Sequence, residues 1–127
     1  MPHTFTKQER LCSFNEINSL VKDGTALFCY PFRAVYQTKE GSANNSVNKI
    51  LVSVPKKNFK RAVHRNLLKR RIRESYRLNK ELLVTAENQC VNVMFVYVGK
   101  DILEFRYIET KLKDVLGKIS KAVEAGR

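Results

Sequence analysis

The segment "VNVMFVYV" (91–98) constrains the fold more than any other: seven of its eight residues are apolar, with valines and aromatics dominating. Alternation would mark a strand with one wet face. Near-continuous hydrophobicity instead predicts a strand buried on both faces, at the centre of a sheet. The rest of the chain must supply its neighbours and its covers. Two further strands are predicted, "PFRAVYQT" opening at Pro31 and "VNKILVSV" stopping at Pro55. The region 24–38 can hold two strands broken near Pro31, which would make four.

Three helices are predicted as covers. In "SFNEINSLVKDG", Ser13 and Glu16 have capping-box spacing, Ile17, Leu20 and Val21 share a face, and Gly24 can end the helix. A second helix runs through the basic stretch after Pro55 toward Leu83. In the third, residues 108, 112, 115, 116, 119 and 123 form an apolar stripe. Gly117 lies inside that helix and costs it about 1 kcal/mol relative to Ala. The loop "KEGSANNS" and the turn around "TAENQC" separate these elements. With 127 residues, 43% of them hydrophobic, the chain suits one domain, taken as 1–127. The expected architecture is α+β: a two-layer sandwich in the order α-β-β-β-α-β-α, with about four strands and three helices.

Charge distribution adds a second constraint. Between Lys56 and Lys80 the chain carries eleven Lys or Arg against one acid, Glu74, a net +10 of the chain's +12. A small domain this basic on one element is expected to meet a polyanion. At about 100° per residue, Arg65, Lys69, Arg73, Asn66, Arg77 and Arg70 share an arc of roughly 140°. Leu68, Ile72 and Tyr76 lie beside it and can dock the helix. Like charges at i, i+4 repel by some tenths of a kcal/mol per pair, a cost that a phosphate backbone would offset. Arginine suits this role because its planar fork grips phosphate bidentately. Competing readings are a solvated face, a membrane-surface or calmodulin-type helix, and a duplex-DNA binder. The arc alone does not separate DNA from RNA.

No protein active site is visible. Cysteines 12, 29 and 90 include no CxxC, and His3 and His64 do not complete a zinc set. Three reduced thiols fit a cytosolic protein. No signal-peptide pattern opens the chain and no apolar run reaches the ~20 residues of a membrane span. A cytoplasmic location is expected.

The segment "RAVHRNLLKRRIRESYR" resembles the signature of the bacterial ribonuclease P protein subunit. Arg61, Ala62, Val63, Arg65, Asn66, Lys69, Arg70, Arg73 and Glu74 occupy its fixed places. "ERLCSFNEINSLVKDGT", "LVSVPKK" and "VNVMFVYVGKD" are similar to the family's flanking elements, so the resemblance covers about residues 9–120. It implies a fold like domain 2 of ribosomal protein S5, with a left-handed βαβ crossover where general rules favour the right-handed one. It implies the protein partner of a catalytic RNA that removes the 5′ leader of precursor tRNA, with magnesium ions held mainly by the RNA. Expected partners are that RNA and precursor tRNA, without membrane or DNA.

Carried over by position, Arg61, Arg65, Asn66, Lys69, Arg70 and Arg73 are the expected RNA contacts; the helical arc adds Arg77, and Lys56, Lys57 and Lys60 extend the patch. Glu74 is expected to orient a neighbouring Arg. A leader cleft is expected between the first helix and the sheet, involving Phe14, Ile17, Val21, Arg33, Val35 and Lys100. The family tends to carry Phe where this chain has Ile17 and Val21, and often Tyr where it has Val35. Phe14, Arg33, Tyr36 or Tyr97 would then compensate. Alternatives are a ribosomal or other structural RNA-binding protein without a nuclease role, and an RNA-independent nuclease.

Overall fold

A computed structural model describes residues 10–11, 14–40, 48–83 and 89–125. Its elements are α1 (Phe14–Asp23), β1 (Thr25–Cys29), β2 (Phe32–Glu40), β3 (Lys49–Ser53), α2 (Ala62–Asn79), β4 (Gln89–Tyr97) and α3 (Phe105–Ala125). A short 3-10 turn, Lys80–Leu82, closes α2. The region 24–38 does hold two strands. They form a hairpin about Tyr30–Pro31, whose peptide bond is cis. Ser13, most of "KEGSANNS" and residues 84–88 lie outside the described residues.

The sheet has the order β1-β2-β4-β3. β4 therefore sits between two neighbours, as its composition requires. It runs antiparallel to β2 and parallel to β3, so the β3–α2–β4 unit is a crossover. On the outer side of β3, Leu11 N–H donates to the Ile50 carbonyl at 2.9 Å.

The phase of each strand decides which side chains meet which helices. Phe32 and Ala34 of β2, Ile50 and Val52 of β3, and Val91, Val93, Phe95 and Tyr97 of β4 face one way. They pack with Leu68, Ile72 and Tyr76 of α2 and with the α3 stripe. All six stripe residues, Ile108 through Val123, are buried. Aromatic edges knit this core: Phe32 meets Phe95 at 5.9 Å and Tyr97 at 6.1 Å, both edge to face. Each such large side chain contributes about 1.5–3 kcal/mol by leaving water.

The opposite parity serves α1. Val35, Leu51 and Met94 are register partners across three strands, and they seat Leu20, Ile17 and Leu11. One row further along, Gln37, Asn92 and Lys49 form a polar ladder beneath α1. Ser19 donates to Gln37 there. Glu16 accepts from Lys49 Nζ at 3.2 Å and from Asn92 Nδ2 at 2.9 Å. The helices thus divide between the two faces, α2 and α3 on one and α1 on the other. Gly24 permits the last turn of α1 to approach β2. A Cβ there would stand 2.3 Å from the Leu20 carbonyl oxygen and 2.5 Å from Val35 Cγ1.

Candidate nucleic-acid interface

Helix α2 buries Leu68, Ile72, Ser75 and Tyr76 and turns its other side to solvent. Apolar anchoring on one face lets the helix tolerate repeated like-charge neighbours on the other. Asn66, Arg70 and Arg73 are exposed along that outer face, with Arg61, Ala62 and Val63 exposed at its start and Lys69 half-buried at its flank. Lys56, Lys57 and Lys60 are exposed or nearly so on the segment leading in. Because β3 and β4 are parallel, α2 starts at their shared C-terminal end. The loop holding Lys100 leaves β4 at that same end, and Lys100 is exposed.

The cations of α2 divide by what their guanidinium groups touch. Arg65 turns back on the incoming chain, where Nη1 donates to the Phe59 carbonyl at 2.8 Å and the Lys60 carbonyl at 2.9 Å. It therefore shapes the lysine-bearing segment as well as adding charge. Arg77 lies against Glu74, with Nε and Nη2 both donating to the carboxylate. That hydrogen bonding holds the Glu74 carboxyl below its ordinary range and raises Arg77. Glu74 accordingly orients Arg77, and the pair brings little net charge to the face. Arg71, outside the expected contact set, donates from Nη1 to the Leu103 carbonyl and ties α2 to the loop before α3. Tyr97 Oη donates to the Asp101 carbonyl of that loop at 2.6 Å. Burial pushes the Tyr97 hydroxyl up to about 12, so it stays a neutral donor at physiological pH. Arg61, Asn66, Lys69, Arg70 and Arg73 are left to present the outward charge and polarity.

The second expected surface has a definite shape. α1 covers the Gln37 and Val35 rows of the sheet and leaves the next row open. That row runs Phe28–Arg33–Val96–Ser53 across β1, β2, β4 and β3. With Leu20 directed at the sheet, helical geometry turns Ile17, Val21 and Phe14 toward the open row. Phe14 is 74% exposed and Val21 61%. A groove therefore lies between α1 and the Phe28–Arg33 row.

Three expectations for this groove need correction. Val35 does not line it, being 8% exposed and held under Leu20 and Gly24. Tyr36 and Tyr97 have the opposite strand parity and belong to the main core, so neither compensates for missing aromatics. On the sheet side, the ring that faces the groove is Phe28, which the sequence pattern did not single out. A hairpin turning at Tyr30–Pro31 pairs Cys29 with Phe32 and hence Phe28 with Arg33, and counting back from that turn would have found it.

Comparison with known proteins places the chain in a family. The model of the ribonuclease P protein family matches residues 5–120. The chain belongs to that family. It is 42% identical to the ribonuclease P protein component of Porphyromonas gingivalis, covering 94% of this chain and 90% of that one. It is 33% identical to the corresponding Geobacter protein, over 92% and 93% of the two chains. The ribonuclease P protein of Staphylococcus aureus superposes with a TM-score of 0.67 at 24% identity, covering 91% of this chain and 97% of that one. The Thermotoga maritima protein gives 0.66 at 23%, over 87% and 97%. These structures share the α+β fold of three helices on a four-stranded mixed sheet. Membership places the chain in tRNA processing, as part of an endoribonuclease complex associated with ribonuclease P RNA.

Among the described residues, no three His, Cys, Asp or Glu side chains stand close enough to hold a metal ion. No described helix is long and apolar enough to cross a membrane.

Proposed function

We propose that this chain binds the catalytic RNA of ribonuclease P through the outer face of α2 and receives the 5′ leader of precursor tRNA in the groove beside α1. It thereby assists the magnesium-dependent hydrolysis that leaves a mature tRNA 5′ end, and it acts in the cytoplasm. The observation that carries the reading is the exposed row Asn66–Arg70–Arg73 on a helix whose opposite face is fully buried. Such a row tracks a phosphate backbone. Arginine forks grip phosphate oxygens, and Asn66 can donate to and accept from a ribose or base edge.

The chain's own part is binding and positioning. Magnesium supplies the Lewis-acid chemistry of phosphodiester hydrolysis when bound. We assign its ligands mainly to RNA phosphates, as the family resemblance implies. Arg61, Lys69, Arg70 and Arg73 reduce repulsion between the two RNAs that must approach one another. Arg65 fixes the segment carrying Lys56, Lys57 and Lys60. Arg33 and Lys100 add positive charge at the end of the sheet where a single strand would leave the α2 surface. Double-stranded DNA is not expected as a partner.

Reconstitution with the cognate RNA tests this. Adding the protein should raise cleavage of precursor tRNA at low magnesium, where the RNA alone is weak. No gain would reject the reading in favour of a structural RNA-binding role. Activity of the protein after RNA has been destroyed would point to an independent nuclease.

A further inference from the structure

The open row of the sheet contains one aromatic ring, and that ring lies largely in solvent. Phe28 is 63% exposed on an edge strand, whereas Phe32, Phe95 and Tyr97, on the other parity of the same sheet, are buried. Across β1 and β2 its register partner is Arg33, also exposed. Directly opposite residues have Cβ atoms about 4.5–5.5 Å apart, so the ring and the guanidinium group share one site. Val96 and Ser53 continue the row across β4 and β3, and both are half-buried. Elsewhere on this face the strand residues whose side chains are described are Ala26, Val35, Gln37, Cys90, Asn92, Met94, Lys49 and Leu51, none of them aromatic.

We propose that Phe28 stacks a base of a single-stranded RNA segment while Arg33 holds the adjoining phosphate. The site is thus a one-base clamp on the β1 edge of the sheet. The inference rests on the groove beside α1 being the leader site, and it fixes which side chain reads the strand there. Chemistry favours this occupant over a peptide. An exposed ring beside a cation, on a chain of net charge +12, matches a ligand with flat π faces strung on anions. A second copy of the chain would bring like charge to the same place. Stacking in this fold would then move from the Val35 position, buried beneath α1, to the edge strand.

The chain contains no tryptophan, so Phe28→Trp introduces a single indole reporter at an exposed position. In the complex with catalytic RNA, its emission should fall when precursor tRNA bearing a leader binds, and should not respond to leaderless mature tRNA. Phe28→Ala and Phe28→Leu should both weaken precursor binding by roughly five-fold or more, while leaving catalytic-RNA affinity unchanged. Equal binding by Phe28→Leu and the parent chain would overturn stacking, because leucine keeps apolar area without a ring. An emission change on adding catalytic RNA alone, with none from the leader, would place Phe28 at the other interface and overturn the clamp. A change with protein concentration and no RNA would assign the surface to a second copy and would overturn the clamp as well. Retained precursor binding without any emission change also rejects it. A chain that binds neither RNA rejects both the clamp and the function proposed above.

Discussion

The outer face of α2 and the groove beside α1 offer RNA two different kinds of surface. On α2 the charge is dense, the backbone is a rigid rod and the contacts are long, flexible cations. Such a surface suits a structured RNA whose phosphates are fixed in space, and its binding should depend steeply on salt. In the groove there are two exposed rings, Phe28 and Phe14, a nearby cation and an aliphatic wall from Ile17 and Val21. That surface suits a flexible strand, with binding that depends less on salt and more on stacking. The comparison teaches that net charge does not identify which cation serves which partner. Neighbours in sequence differ in role: Arg70 faces outward, while Arg71 is bonded to the Leu103 carbonyl.

The largest effect is expected from replacing Arg70 and Arg73 together with alanine. Catalytic-RNA affinity should fall on the order of 100-fold or more, at about 1.5–3 kcal/mol per charged hydrogen bond. The salt slope should drop by about one for each phosphate that the helix no longer grips. Filter binding across a salt series checks both, and an unchanged slope would remove these residues from the interface. Gly24→Ala attacks the other region. Its Cβ has no room beside Leu20 and Val35, so α1 must shift, at a cost of about 1–3 kcal/mol in urea unfolding. Leader-dependent affinity should fall while the α2 salt slope stays as it was.

Arg71→Ala tests the division within α2. It should lower stability by about 1–2 kcal/mol through the unpaired Leu103 carbonyl, and leave the salt slope for catalytic RNA unaltered. A reduced slope would show that Arg71 also meets phosphate. The smallest effect is expected at Gly117, where an added Cβ meets nothing within 4 Å. Gly117→Ala should stabilise the chain by about 0.5–1 kcal/mol without changing affinity for either RNA. It serves as a control that stability and binding separate.

The helical half of this molecule was readable from periodicity. The α3 stripe is buried as spaced, and Leu68, Ile72 and Tyr76 dock α2 as the helical projection requires. Strand phase was harder, and the reason is physical. β2 reads Phe32, Ala34 and Tyr36 on one parity and Val35 on the other, because helices cover both faces of the sheet. Apolar residues at both parities leave alternation without a signal, so Val35 looked as available as Arg33. The roles of Arg65, Arg71 and Arg77 were equally hidden. Their partners are the carbonyls of Phe59, Lys60 and Leu103 and the Glu74 carboxylate, which only the fold brings together.

The central claim is that α2 is a handle for a catalytic RNA. The most direct measurement is the identity of the RNA that co-purifies with the chain from its own cells, compared with the RNA held by the Arg70→Ala, Arg73→Ala variant. One dominant structured RNA is expected, one that cleaves precursor tRNA unaided at high magnesium and that is depleted in the variant. Ribosomal RNA as the dominant species, or the same RNA retained equally by the variant, would contradict it.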